Sequence, residues 1–259
     1  MKIISCNING IRSALKKGLV DFVENEQPDI LCLQEVKCAS SDLPEELQNI
    51  SGYNLFLNCA NKKGYSGVAV YAKQKPTKVD SILGIDRFDG EGRFLELEYP
   101  EFTILNLYFP HGGRQKENLE YKLNVYEKIF ERIEQLNDKN VILIGDFNIA
   151  HDDIDLSRPK QNKNNIMFSK IERDQISKLI DMGFIDSFRK FNNETGNYTW
   201  WPYAFDARNR NMGWRIDYCF VSSGMAEKIA EARIYPEACF SDHCPVGVEI
   251  RIYDIDLVK

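Results

Sequence analysis

Apolar residues along this chain fall into short runs, and several of the runs stop abruptly on polar side chains. The sharpest is Val141-Ile142-Leu143-Ile144, followed at once by Gly145-Asp146-Phe147-Asn148. Four consecutive aliphatics, three of them β-branched, predict a strand buried on both faces, as in the middle of a sheet. Gly145 lets the backbone turn, and Asp146 and Asn148 arrive at the strand's C-terminal end, where α/β sheets place ligand sites. Side chains at i and i+2 of an extended segment point the same way, so one carboxylate and one amide can share a pocket there. An ordinary turn is the alternative reading of Gly, Asp and Asn.

The same alternation of apolar run and polar end repeats along the chain. Lys2–Asn7 is predicted to be a strand, Ile11–Glu26 a helix (Ile11, Leu15, Leu19, Phe22, Val23) and Asp29–Gln34 a second buried strand that delivers Glu35. This strand–helix–strand unit suits an α/β fold. A helix near Asp42–Ile50 is followed by predicted strands at Tyr53–Asn58, Gly67–Ala72, Lys78–Leu83 and Arg93–Glu98, joined too tightly for crossover helices and so antiparallel. Phe102–Phe109 is a further strand, and Gln115–Leu136 a long amphipathic helix. Beyond the central strand come a polar loop over 151–168, a helix at Ser169–Asp181 and an aromatic, Arg-rich loop over 192–213. A strand at Trp214–Val221, a helix near Gly224–Ala230 and a last strand at Val246–Ile252 complete the pattern. No linker or internal repeat interrupts it, so residues 1–259 read as a single domain.

Composition changes this picture little. The 259 residues are 43% hydrophobic and 28% charged, which is ordinary globular usage. No apolar run approaches the ~20 residues of a membrane span. Met1-Lys2-Ile3-Ile4 enters a strand directly, leaving no room for a signal peptide. The seven cysteines form no CxxC pair and sit mostly in apolar strand contexts, the expectation being reduced, buried thiols and a cytoplasmic location, nucleoid-associated if the source is prokaryotic. A net charge of -6 argues mildly against a nucleic-acid partner, but an acidic total can still carry a basic face.

Chemistry enters through the polar strand ends taken together: Asn7, Glu35, Tyr108, Asp146 with Asn148, Asp217, and Asp242 with His243. Carboxylates and amides without thiolates describe a site for a hard cation, Mg²⁺ or Mn²⁺ rather than Zn²⁺. The lone His then serves as an acid/base or charge-stabilising group. Phosphodiester hydrolysis needs charge neutralisation, a group to orient water and donors to the phosphoryl oxygens, and the set offers a candidate for each.

Asn7-Ile8-Asn9-Gly10-Ile11-Arg12, Leu31-Cys32-Leu33-Gln34-Glu35, Gly64-Tyr65-Ser66-Gly67-Val68, Gly145-Asp146-Phe147-Asn148-Ile149-Ala150-His151, Trp214-Arg215-Ile216-Asp217-Tyr218 and Ser241-Asp242-His243-Cys244-Pro245 stand in that order along the chain. This series resembles the motifs of the exonuclease III family of abasic-site endonucleases, within the wider endonuclease/exonuclease/phosphatase superfamily. Within the family it is more similar to the branch containing the main vertebrate abasic endonuclease than to the founding bacterial exonuclease. The resemblance implies a DNase I-like fold, a four-layer α/β sandwich of two mixed sheets packed face to face. It implies that Glu35 is the principal metal ligand with Asn7 ordering the site, and that Asp146, Asn148, Asp242 and His243 surround the ion. Asp146 would orient or deprotonate the attacking water, and Asn148 would help hold water and phosphate. His243, paired with Asp217, would stabilise phosphate charge, and Tyr108 would donate to the phosphate or support the leaving oxygen.

For a DNA partner the resemblance and the loop charges point to Arg12, Lys17, Tyr65, Arg114, Arg158, Asn162, Lys163 and Arg208, with Lys16, Lys160 and Arg210 nearby, as groups that position phosphates without reading sequence. Trp200, Trp214 and Ile216 would line an apolar slot for an extruded, base-less sugar, whereas Trp201 reads as core. His111 and Ala204 stand where the vertebrate branch has Asn and a bulky Met. The expected protein is a monomeric, Mg²⁺-dependent nuclease acting on duplex DNA with abasic sites or blocked 3′ ends. A lipid-directed phosphodiesterase of the same superfamily would need an apolar membrane-facing loop, against which the polar Arg/Asn/Lys loops speak. A non-catalytic nucleic-acid-binding module is opposed by the intact Glu35, Asp146, Asp217 and His243.

Overall fold

The structure is a computed structural model and describes residues 1–136 and 140–252. Its strands are β1 (Lys2–Asn7), β2 (Ile30–Gln34), β3 (Asn54–Asn58), β4 (Val68–Ala72), β5 (Lys78–Asp80) and β6 (Phe94–Glu98). They continue as β7 (Thr103–Tyr108), β8 (Val141–Asp146), β9 (Phe184–Asp186), β10 (Asp217–Ser222), β11 (Ile229–Ile234) and β12 (Val246–Ile250). Two six-stranded sheets result, in the orders β11-β12-β1-β2-β4-β3 and β5-β6-β7-β8-β10-β9. Each is mixed: β1 runs parallel to β2 and β7 parallel to β8, while the other pairs are antiparallel.

Side-chain alternation divides each strand between two cores. Ile3, Cys32 and Val70 of the first sheet meet Ile104, Ile142, Ile144 and Val221 of the second, so the sheets pack face to face. The outward set of the first sheet, with Ile4, Cys6, Leu31 and Leu33, packs on Ile11, Leu19 and Val23 of the helices Ile11–Lys16 and Leu19–Glu26. The outward set of the second, with Leu105, Leu143 and Phe220, packs on Val125, Ile129 and Ile176 of the helices Leu119–Gln135 and Lys170–Asp181. Helix, sheet, sheet, helix is the expected four-layer sandwich. The run Val141–Ile144 sits between β7 and β10, buried throughout.

Local departures from the sequence expectation have local causes. The helix expected over Ile11–Glu26 is two helices, because Gly18 takes φ 97° and resets the chain between them. The helix expected near Asp42–Ile50 shrinks to a 3₁₀ turn at Ser40–Asp42 and one turn at Glu45–Gln48, starting after Pro44. Around Gly224 there is a 3₁₀ turn, Ser223–Lys228, and residues 229–234 form β11, an edge strand the sequence reading missed together with β9. Pairing in the strand expected from Trp214 begins only at Asp217, since Trp214 bridges instead to Leu156 and Trp200. The polar loop 151–168 carries a short helix at Pro159–Asn162. Cys239 is exposed, unlike most of the cysteines.

Gly145 is a requirement of the packing. It lies at φ 139°, and a Cβ there would stand 2.0 Å from the carbonyl oxygen of Leu107 on the neighbouring strand. Gly145→Ala is therefore expected to destabilise the fold by roughly 3 kcal/mol through overpacking and backbone strain, read as a lowered thermal midpoint. An unchanged midpoint would mean that β7 and β8 are not held this closely.

Candidate active site

The alternation that builds the inner core also delivers the site. Along β1 the inward positions run Ile3, Ser5, Asn7; along β7, Ile104, Asn106, Tyr108; along β8, Ile142, Ile144, Asp146; along β10, Val221, Cys219, Asp217. Register places Tyr108 beside Asp146 and Asp146 beside Asp217. Above the apolar layer Gln34 donates to Ser5 Oγ (2.9 Å) and Asn106 Oδ1 (2.7 Å), a buried amide tier between the sheets. Above that tier only polar side chains remain, and they converge at one rim of the sandwich.

Asn7 joins the sheets there. Its Nδ2 donates to Glu35 Oε1 at 2.8 Å and to Asp146 Oδ2 at 2.9 Å. Glu35 lies one position out of phase with the inner face of β2, and a left-handed backbone (φ 52°) turns it inward. Asn148 likewise has φ 53°, so it does not reach Asp146 by strand alternation, as the sequence reading supposed. It folds back instead: its N–H donates to Asp146 Oδ1 (2.9 Å), and its Nδ2 to Asp146 Oδ2 (3.1 Å) and to the Phe109 carbonyl (2.9 Å). Both oxygens of Asp146 are thereby fixed. His243 Nδ1 faces Asp217 Oδ2 at 2.9 Å, leaving Nε2 as the atom that can meet a substrate.

Burial first, and the neighbouring Asp217 carboxylate next, push the Asp146 carboxyl up to about 7. Burial alone would lower His243, but the Asp217 partner outweighs it and holds the imidazole up at about 10, so it is an imidazolium at neutral pH. Glu35 stays below the usual carboxylate range: burial opposes this, but the Lys37 ammonium, 2.6 Å from Oε2, prevails. Tyr108 is pushed up by burial and by Glu35, which keeps its phenol protonated and a donor.

Glu35, Asp146 and His243 each bring a possible ligand atom within 4.8 Å of the others. Two carboxylate oxygens, one of them on a group whose pKa is raised by burial and by a neighbouring carboxylate, suit a hard divalent cation. Glu35 and Asp146 are the members whose chemistry fits; His243, held cationic by Asp217, is a poor ligand in that state. Asn7 engages the carboxylates through its amide N–H₂. Asp242 stands apart from this trio, accepting from Asn9 (2.9 Å) and from the Trp200 indole (3.1 Å).

Beside the trio opens a cleft of about 480 Å³ walled by His111, Arg114, Asn165, Met167, Trp200 and Trp214. Trp214 stands edge-on to Phe168, with ring centroids 6.3 Å apart. Ile216 is fully buried and lies beneath these rings, not in the wall, and Trp201 is core, as its sequence context implied. Arg12, Lys17 and Arg114 are exposed, Arg12 beside Asp42 and Arg114 on the cleft rim. Lys163 shares a different depression, with Asp152 and Arg173. Asn162 caps its own turn by donating to the Arg158 carbonyl, and Arg158 reaches Met212. Arg208 stacks on Trp201 and donates to the carbonyls of Pro236, Ala238 and Ser241, so its guanidinium is committed to holding the loop.

Residues that escaped the sequence reading include Lys37, Arg93 and Phe205. Lys37 is the ammonium that sets the charge of Glu35. Arg93, almost fully buried, lies 4.2 Å from the Tyr108 ring and donates to the Tyr65 hydroxyl, so it supports both tyrosines. Phe205, next to Ala204 in the exposed turn, is 83% exposed with φ 61°, so this turn carries a large apolar side chain one residue after the position where the vertebrate branch has Met.

The model of the Endonuclease/Exonuclease/phosphatase family matches residues 4–243. The chain is 41% identical over 255 residues to Recombination repair protein 1 of Drosophila melanogaster, covering 97% of this chain but only 37% of that longer protein. It is 40% identical over 255 residues to the exodeoxyribonuclease of Bacillus subtilis, covering 97% of this chain and all of that one. The solved structure of an AP endonuclease from Archaeoglobus fulgidus superposes with a TM-score of 0.88 at 27% identity, covering 97% of this chain and 100% of that chain. With a match running through both sheets and every strand end that builds the rim, the chain belongs to the endonuclease/exonuclease/phosphatase family.

Proposed function

We propose that this protein is a Mg²⁺-dependent nuclease of DNA repair that hydrolyses the phosphodiester 5′ to an abasic site in duplex DNA and trims blocked 3′ ends. The observation that carries the reading is the joining of two features at one rim. A carboxyl with its pKa moved to about 7 lies within 4.8 Å of an imidazolium, and a tryptophan-walled cleft opens beside them. The named relatives support it, as an exodeoxyribonuclease and an AP endonuclease.

A divalent cation held by Glu35 and Asp146 would supply neutralisation of phosphoryl charge. The chain's own groups do the rest. Asp146, fixed at both oxygens, orients the attacking water and accepts its proton. His243 presents Nε2–H to a non-bridging oxygen, its charge secured by Asp217. Tyr108, kept protonated, donates a hydrogen bond to the phosphate or the leaving oxygen. Trp200 and Trp214 would receive a deoxyribose that has lost its base, packing against the two indoles where a base would otherwise have to be accommodated.

A duplex carrying one abasic analogue is expected to be nicked 5′ to the lesion in Mg²⁺, and a chelator should abolish cleavage; a protein that leaves this duplex and a 3′-phosphorylated duplex intact would overturn the reading. Asp146→Asn and His243→Ala should each lower turnover by at least ~10²-fold, while duplex affinity measured in chelator stays within a few-fold; loss of binding with turnover retained would contradict the assigned roles. Trp214→Ala should cost abasic-site cleavage on the order of 1–2 kcal/mol of apolar contact and raise the ratio of intact to abasic cleavage. A fall in thermal midpoint with an unchanged ratio would instead make Trp214 a packing residue.

A further inference from the structure

The turn that carries Asp146 and Asn148 leaves three successive carbonyls beyond the end of β8, and a buried side chain takes each. Tyr126 donates to the Phe147 carbonyl at 2.6 Å, Lys122 to the Asn148 carbonyl at 2.7 Å, and Tyr218 to the Ile149 carbonyl at 2.8 Å. Lys122 and Tyr126 stand one turn apart on the helix Leu119–Gln135, so one helix face grips two neighbouring peptides. Satisfying a buried carbonyl needs only a neutral donor, as the two tyrosines demonstrate. A fully buried ammonium is a costly way to do it.

The ammonium does more than cap one carbonyl, because its three donors go to three separate segments. Besides Asn148 they reach the His111 carbonyl at 3.4 Å and Glu172 Oε1 at 2.6 Å. Glu172, also fully buried, accepts from the Met167 N–H (3.0 Å) through the same oxygen, and from the Ser169 hydroxyl (2.5 Å) through the other. His111 and Met167 are walls of the tryptophan cleft. The pair therefore fixes the catalytic turn against the cleft in which the substrate's sugar is received.

We propose that Lys122, through its pairing with Glu172, is a positioning residue for phosphodiester hydrolysis: it holds Asn148, and through Asn148 both oxygens of Asp146, in register with the substrate cleft. Lys122 is fully buried and makes no hydrogen bond to Asp146 among the described residues; it reaches Asp146 through the peptide it grips. The proposal rests on the nuclease reading above. Wild-type cleavage of the abasic duplex tests that reading, whereas the ratio of variant to wild type tests this one.

Lys122→Met alone strands a buried carboxylate and is expected to lower the thermal midpoint, so the informative protein is the paired variant Lys122→Met with Glu172→Gln. It removes both charges, and the glutamine side chain retains a carbonyl oxygen for Met167 or Ser169. Steady-state kinetics on the abasic duplex in saturating Mg²⁺ are to be read beside calorimetric melting. The expected result is a midpoint recovered towards wild type, KM within about threefold of wild type and kcat still lowered by about tenfold or more. Tyr126→Phe, which releases only the Phe147 carbonyl, should lower kcat in the same sense by a smaller factor. Recovery of kcat together with the midpoint would overturn the proposal, because the pair would then serve stability alone. A loss falling wholly on KM would overturn it as well.

Discussion

Asn7, at the end of β1, gives its two N–H groups to carboxylates from opposite sheets, Glu35 after β2 and Asp146 on β8, and the rest of the site depends on that one amide. Without such a donor the two acids, buried at the joint of the sandwich, would repel with little solvent to screen them. The arrangement is possible because side chains alternate with a period of two and the inward residues of β1, β7, β8 and β10 turn polar at the same height. Below that height the inner faces are apolar, and a single polar tier of Ser5, Gln34 and Asn106 marks the change. The same register that packs the core thus concentrates negative charge at one rim.

That concentration is held by compensations distributed around it. Lys37 faces Glu35, His243 faces Asp217, and Asn148 takes both oxygens of Asp146. Several of these groups sit on left-handed backbone at non-glycine residues, Asn9, Glu35, Lys37 and Asn148 among them, each costing on the order of 1 kcal/mol or more. Such conformations persist only where surrounding contacts over-determine them, and the grip of Tyr126, Lys122 and Tyr218 on the turn after β8 is one such set of contacts. Arg93 behind Tyr108 and Tyr65 does comparable work on the other side of the rim.

What the sequence made legible was what alternation and punctuation encode. The run Val141–Ile144, with Gly145 and Asp146 after it, announced a central strand and its functional end, and the polar ends of β1, β2, β7 and β10 could be read in the same way. Helix breaks set by one glycine, as at Gly18, and short edge strands such as β9 and β11 are too weakly patterned to see. Roles decided by distant partners were hidden more completely. Arg208 reads as a loop cation until three carbonyls from 236–241 are found around it. Lys122 reads as the polar side of an amphipathic helix until Glu172, fifty residues on, is seen beside it in the core. Ile216 reads as a pocket wall because its neighbours are, though its own side chain points beneath them.

The burial of Asp146, with charge crowding beside it, has a direct thermodynamic signature. Metal-free Asp146 carries a proton up to about pH 7, and a divalent cation must displace it, so cation affinity rises as pH rises through that value. Calorimetric titration of Mg²⁺ into the protein, in buffers of different ionisation enthalpy, counts the protons released per ion bound. Release should be roughly half a proton at pH 7, approach one at pH 6 and vanish above about pH 8. Mg²⁺ binding with no proton release between pH 6 and 8 would contradict this account, because Asp146 would then be an ordinary ionised carboxylate, neither desolvated nor crowded by Asp217.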